Sequence, residues 1–149
     1  MKKSVIATHA VSLAISTAVM LAIQGCGQSK QSHAAGSSLP RTTARQAAVA
    51  VSLLTSGTVC EVEATGSMLP TFDDRAIVIL EKCTAADVRA GDIIVRKLAG
   101  RNIVHRAISN GPTVRTRGDA LTADDEGAVS DADLVGRAVG VIFSKEGRK

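Results

Sequence analysis

The stretch "TVCEVEATGSMLPTFDDRAIVIL", residues 58–80, is the part of the chain from which the fold is read. At its start, Cys60, Val62 and Ala64 alternate with Glu61 and Glu63, the period of two expected of a strand with one buried and one wet face. At its end, "RAIVIL" is an unbroken apolar run, as in a short strand covered on both faces. Between them, Gly66 and Pro70 mark a loop, and that loop carries Ser67. Two strands are therefore expected to pair antiparallel around it.

The pattern continues downstream. "TAADVRAGD" reads as a turn-like connection into "IIVRKL", and "AGRN" as a hairpin turn before "IVHRAIS". "NGP" is a strong turn signal ahead of a short strand in "TVRTRGD". "ALTADDEGAVSDAD" is a polar loop, and "LVGRAVGVIF" closes the domain. Upstream, "RQAAVAVSLLTSG" has apolar residues at helical spacing and stops before Gly57; core packing is the expected use of its apolar face. Several short strands behind one short helix make a mostly β domain. The core must be aliphatic, because the chain of 149 residues has two Phe and no Trp or Tyr.

The formal charge is +4, of which Lys2 and Lys3 supply two units. No basic block is interleaved with aromatics, so a nucleic-acid partner has no footprint. "MKK" opens the chain, an uncharged stretch runs from Ser4 to Gln24, and "AIQGC" closes it. This is the layout of an export signal. Gly25 followed by Cys26 resembles the bacterial lipobox, in which the cysteine is lipidated and becomes the mature N-terminus. The alternative is an uncleaved anchor, since about 20 apolar residues can span a bilayer. Either way the remainder lies outside the cytoplasm, tethered to a membrane. Residues 1–25 are thus the signal or anchor, 26–45 a Gly/Ser/Thr-rich tether, and 46–149 the folded domain. Such a location permits a disulfide between Cys60 and Cys83; the alternative is two small buried thiols. No Cys-x-x-Cys or His/Cys cluster points to a metal, and no cofactor is expected.

His105 is the one histidine of the folded region, His9 and His33 lying upstream of it. Strand alternation puts it on the face of Ile103 and Ala107, where a polar group needs a partner. Asp119, Asp124, Asp125, Asp131 and Asp133 follow. A serine becomes a nucleophile only with a base in reach and a third group to orient that base. Ser, His and Asp are present in that order, but order alone decides nothing, and a turn serine, a structural histidine and a solvated acidic loop would read the same.

Five segments in sequence, "TGSMLPTF", "GDIIV", "IVHRAI", "TRGDALTADDEG" and "DLVGRAVGVI", together resemble the successive boxes of type I signal peptidases. The resemblance covers roughly residues 58–143 and implies the β fold that this family shares with the LexA-like self-cleaving repressors. The usual bacterial branch has a lysine base before the Arg of the third box; "VHR" resembles the archaeal and endoplasmic-reticulum branch, with histidine there. The resemblance implies Ser67 as nucleophile, His105 as general base and Asp125 as the orienting acid, with Asp119 and Asp124 as supporting acids. It implies an oxyanion hole from the Ser67 N–H and the Thr65 hydroxyl, and an exported peptide or preprotein as substrate. Arg75-Ala76 replaces the Gly-Asp usual after the serine box. A lipoprotein keeping the fold as a non-catalytic peptide-binding module is the competing expectation.

Overall fold

The computed structural model describes residues 39–110 and 113–147. The signal or anchor, Cys26 and most of the tether lie outside the described residues. Helix α1 (Arg41–Leu54) leads into β1 (Thr58–Glu61) and β2 (Ala76–Glu81). A 3₁₀ turn (Ala85–Asp87) connects to β3 (Ile93–Leu98), β4 (Arg101–Ala107), β5 (Thr116–Arg117) and β6 (Leu134–Phe143). The expectation of a mostly β domain with one short preceding helix holds. The helix begins at Arg41, ahead of the boundary expected at residue 45. Arg41 explains the early start: its guanidinium bonds Asp74 O at 2.9 Å and Glu61 Oε2 at 2.8 Å, fastening the first turn to the sheet.

The strands form one sheet in the order β1-β2-β6-β3-β4-β5, every pair antiparallel. The last strand therefore lies in the middle. The apolar run of β2 is covered on both faces, as its composition predicts. Ala76, Val78 and Leu80 join Val62, Met68, Phe72 and Val95 in one cluster. Ile77 and Ile79 face the other way, against Ala44 and Ala48 of α1. Small alanines let the helix approach closely, and both are fully buried. A third cluster, around Val88, Ile94, Ala107, Val114 and Val129, closes the β3–β5 end.

The β3–β4 hairpin is tighter than the four-residue turn expected from "AGRN". Leu98 pairs with Arg101, leaving Ala99 (φ 49°) and Gly100 (φ 77°) as the two turn residues. Two consecutive positive φ values match the right-handed twist of the flanking strands. The anticipated option of a Cys60–Cys83 disulfide is corrected by the register. Cys60 stands opposite Val78, five residues short of Cys83, ~16 Å along an extended chain. Bridged cysteines need Cα atoms within about 7 Å. Cys60 packs beside the first cluster and Cys83 against the third, and burial pushes the Cys83 thiol pKa up.

Candidate active site

Ser67 sits at the head of a loop held from below. Met68 and Phe72 are 2% and 1% exposed and plug the loop into the core, while Gly66 takes φ +69° and its carbonyl accepts the Leu69 N–H at 3.1 Å. The Leu69–Pro70 peptide is cis. The two apolar anchors follow Ser67, which is half-buried, while Leu69, Pro70 and Thr71 form the exposed part of the loop. Its Oγ pairs with Thr65 Oγ1 at 3.2 Å, and its N–H donates to the same oxygen at 3.4 Å. Thr65 therefore stands beside both the hydroxyl and the amide of Ser67.

His105 is 5% exposed in β4. Its Nδ1 lies 2.7 Å from Asp125 Oδ2. A carboxylate only accepts, so Nδ1 is the donor, and in the neutral ring Nε2 holds the free lone pair. That nitrogen points at the Gly118 backbone. A Cβ built on Gly118 would lie 3.0 Å from His105 Nε2 and 2.6 Å from Ser67 O. One glycine thus touches both the imidazole and the serine loop, and the missing side chain is what lets them approach. The contact is fastened next door, where the Ala120 N–H donates to Ser67 O at 2.9 Å.

The three acids anticipated on this loop divide by partner. Asp125 holds His105, and also accepts from Thr116 Oγ1 at 2.6 Å. Asp119 instead takes a two-point ion pair from Arg106, Nε to Oδ1 at 2.8 Å and Nη2 to Oδ2 at 2.7 Å. A hydrogen bond from Thr71 Oγ1 joins it to the serine loop. The Arg106 guanidinium holds the Asp119 carboxyl below its ordinary pKa against the opposing pull of burial. Asp124 lies outward, paired with Arg115 at 2.9 Å and Arg117 at 3.5 Å. Asp131 and Asp133 bond elsewhere: Asp131 accepts from the Ala85 N–H, 46 residues back, and Asp133 from nearby Ser130.

Ser67, Thr65 and His105 border an open groove of about 810 Å³. Its walls come from β1 and its continuation through Glu63, and from β4 between Arg101 and His105. Val62, Val104 and Leu121 supply apolar floor and rim. No aromatic side chain lines it; Arg45, Glu61, Glu63, Arg101 and Asn102 add charged and polar groups to the aliphatic surface.

Two residues beside the site escape a motif-based reading. Thr116 is fully buried and bonds Asp125; a signal for it exists, since Val114, Thr116 and Gly118 alternate with Arg115 and Arg117. Arg96 is 3% exposed and donates from Nη1 to Thr116 Oγ1 at 3.3 Å and to Gly127 O at 3.2 Å. In "IIVRKL" it looks like an ordinary solvent-facing charge, and nothing local in the sequence marks it as buried.

No family model matches the chain. Among curated proteins it is similar to the "Signal peptidase complex catalytic subunit SEC11C" of Homo sapiens, of Canis lupus familiaris and of Mus musculus. Each is 36% identical over 92 residues, covering 52% of this chain and 48% of the relative. The chain thus spans about half the length of the curated relatives it matches. The similarity is to the signal-peptidase family, the same one that the order of the five segments resembles.

Proposed function

We propose that the chain is a membrane-tethered serine endopeptidase of the signal-peptidase kind, acting on exported preproteins or on one dedicated exported protein. The observation that carries this is Gly118, against which the Ser67 carbonyl and His105 Nε2 both rest while Asp125 holds Nδ1. A rotation of the Ser67 side chain carries its hydroxyl from Thr65 toward Nε2; such catalytic hydrogen bonds are often loose before substrate binds. Ser67 Oγ then bonds to the scissile carbonyl carbon as His105 Nε2 takes its proton. The carbonyl oxygen becomes an oxyanion facing the Ser67 N–H and the Thr65 hydroxyl; one such donor is worth about 3 kcal/mol in the transition state. His105 passes the proton to the leaving amine as the C–N bond breaks. Water, deprotonated by His105, hydrolyses the acyl-enzyme and restores Ser67.

An extended peptide lying in the groove fits this chemistry, because β1 is an edge strand of the described sheet, the place where an extended peptide adds as a further strand. The aliphatic surface of Val62, Val104 and Leu121 near Ser67 favours small apolar residues at the cut. In this reading residues 1–25 are the signal or anchor, and Cys26 carries the lipid. The domain at 46–149 is extended forward to the helix start at Arg41.

The test uses the full chain in detergent with a peptide bearing small residues around its cleavage site. Ser67→Ala is expected to lower turnover by several orders of magnitude; cleavage at the wild-type rate would sink the assignment. In cells, Ser67→Ala should also make uncleaved precursors accumulate, and a general processing role fails if none do. Labelled fatty acid should enter the wild type and not Cys26→Ala. Equal incorporation would remove the lipid anchor and leave the uncleaved one. The pairing of Ser67 Oγ with Thr65 Oγ1 supports a second reading, a non-catalytic peptide-binding module. That reading requires a serine-directed fluorophosphonate to leave Ser67 unlabelled while the peptide still binds.

A further inference from the structure

Arg96 is a cation in the interior that makes no ion pair among the described residues, and its Nε has no hydrogen-bond partner. Such a charge is costly unless something nearby uses it. Its position suggests what does. Ile94 stands opposite His105 across the β3–β4 ladder and Arg96 opposite Ile103, so the guanidinium shares the face from which the imidazole projects. Its Nη1 reaches Thr116 Oγ1 at 3.3 Å, and that hydroxyl donates to Asp125 Oδ2 at 2.6 Å. The same oxygen accepts from His105 Nδ1 at 2.7 Å. The second Nη1 contact, to Gly127 O at 3.2 Å, ties down the loop that carries Asp125.

We infer that Arg96 is a positioning residue for the proposed cleavage, its buried guanidinium acting through Thr116 Oγ1 to hold Asp125 in place behind His105. The inference rests on the peptidase reading of the site. A guanidinium hydrogen-bonded to the hydroxyl oxygen polarises it into a stronger donor, so Thr116 accepts from Arg96 and presents its proton to Asp125. Asp125 is thereby kept as a pure acceptor, which fixes the Nδ1–H tautomer and leaves Nε2 free for the serine proton. Asp125 and the Asp119–Arg106 pair lie beside His105, Arg115 and Arg117 pair with Asp124 next to Asp125, and Asp133 interacts with Arg96 at longer range. Arg106 offsets Asp119, so Arg96 is the cation whose removal alters the balance at the Asp125 side.

The experiment measures fluorophosphonate labelling of Ser67 in the full chain between pH 5 and 8, alongside thermal melting. Arg96→Met keeps the stem volume and removes a charge that contributes little stability. It is expected to melt no earlier than the wild type yet to label at least about 10-fold more slowly at pH 7. The acidic limb of its profile should move up by at least about 0.5 pH unit. Arg96→Lys, which keeps the charge, should hold the limb near its wild-type position. Thr116→Val breaks the relay with the guanidinium in place; it should label as slowly as Arg96→Met, and the double variant no more slowly than either. Wild-type labelling and an unmoved limb in Arg96→Met overturn the inference. If that variant unfolds, wild-type labelling in Thr116→Val overturns it instead. The NMR titration of the His105 Cε1–H reads the same shift without turnover. An unlabelled wild type therefore defeats the peptidase reading, whereas identical titrations in wild type and Arg96→Met defeat the relay.

Discussion

Gly118 has the narrowest tolerance in the site. An added methyl would come within 2.6 Å of Ser67 O and 3.0 Å of His105 Nε2, and neither neighbour is the loose end of a long side chain. Gly118→Ala should therefore cost about 1–3 kcal/mol of stability by overpacking, and at least about 10-fold in Ser67 labelling, because the displaced groups are the reacting ones. Denaturant melts and labelling rates check the two halves separately. Asp119 behaves differently. Its carboxyl pKa is lowered from 3.8 by Arg106, so the ionised form is the one the fold favours. The stabilisation is fully present above pH ~4, the ordinary range of an aspartate, and is lost as pH falls through the lower folded-state value. Asp119→Asn should accordingly be less stable than the wild type at pH 7, and the gap should narrow toward pH 3 in urea titrations. A gap that does not change with pH would mean the ion pair contributes nothing. At this scale the sequence was only partly legible. Spacing along one polar loop cannot say which of Asp119, Asp124 and Asp125 meets the imidazole, because that depends on where Arg106, Arg115 and Arg117 sit. Arg96 was hidden for the same reason: burial of a charge is decided by strands distant in the chain.

Elements were more legible than single contacts, because alternation and turn chemistry are local. The runs at 58–61, 76–81 and 93–98 became strands since each has the period or the apolar continuity a strand needs. The hairpin turn at Ala99–Gly100 starts where its composition suggests but ends two residues earlier, because two positive φ positions suffice. The serine loop draws its rigidity from the strands that flank it and from Phe72, which is all but fully buried in the first cluster. Phe72→Ala should lose about 3–5 kcal/mol. A residual folded fraction should label slowly, because the loop that carries Ser67 loses its plug. Wild-type labelling per folded molecule, measured after correcting for the melt, would show that β1 and β2 alone hold the loop. The helix start was misjudged because its first-turn anchor, Arg41, works through Glu61 and Asp74, contacts that no local pattern announces.

Across the whole molecule, strand order is the property that sequence order conceals: β6 is last in the chain but lies between β2 and β3. Ser67 belongs to the β1–β2 half and His105 to the β3–β4 half, and β6 supplies the ladders that join the halves, to β2 on one side and β3 on the other. A nascent chain that has emerged only as far as Asp133 thus holds every residue of the proposed reaction but lacks the strand that joins them. Under the proposed reading, assembly of the site waits on the ten-residue strand Leu134–Phe143, whose ladders hold the two halves of the sheet together.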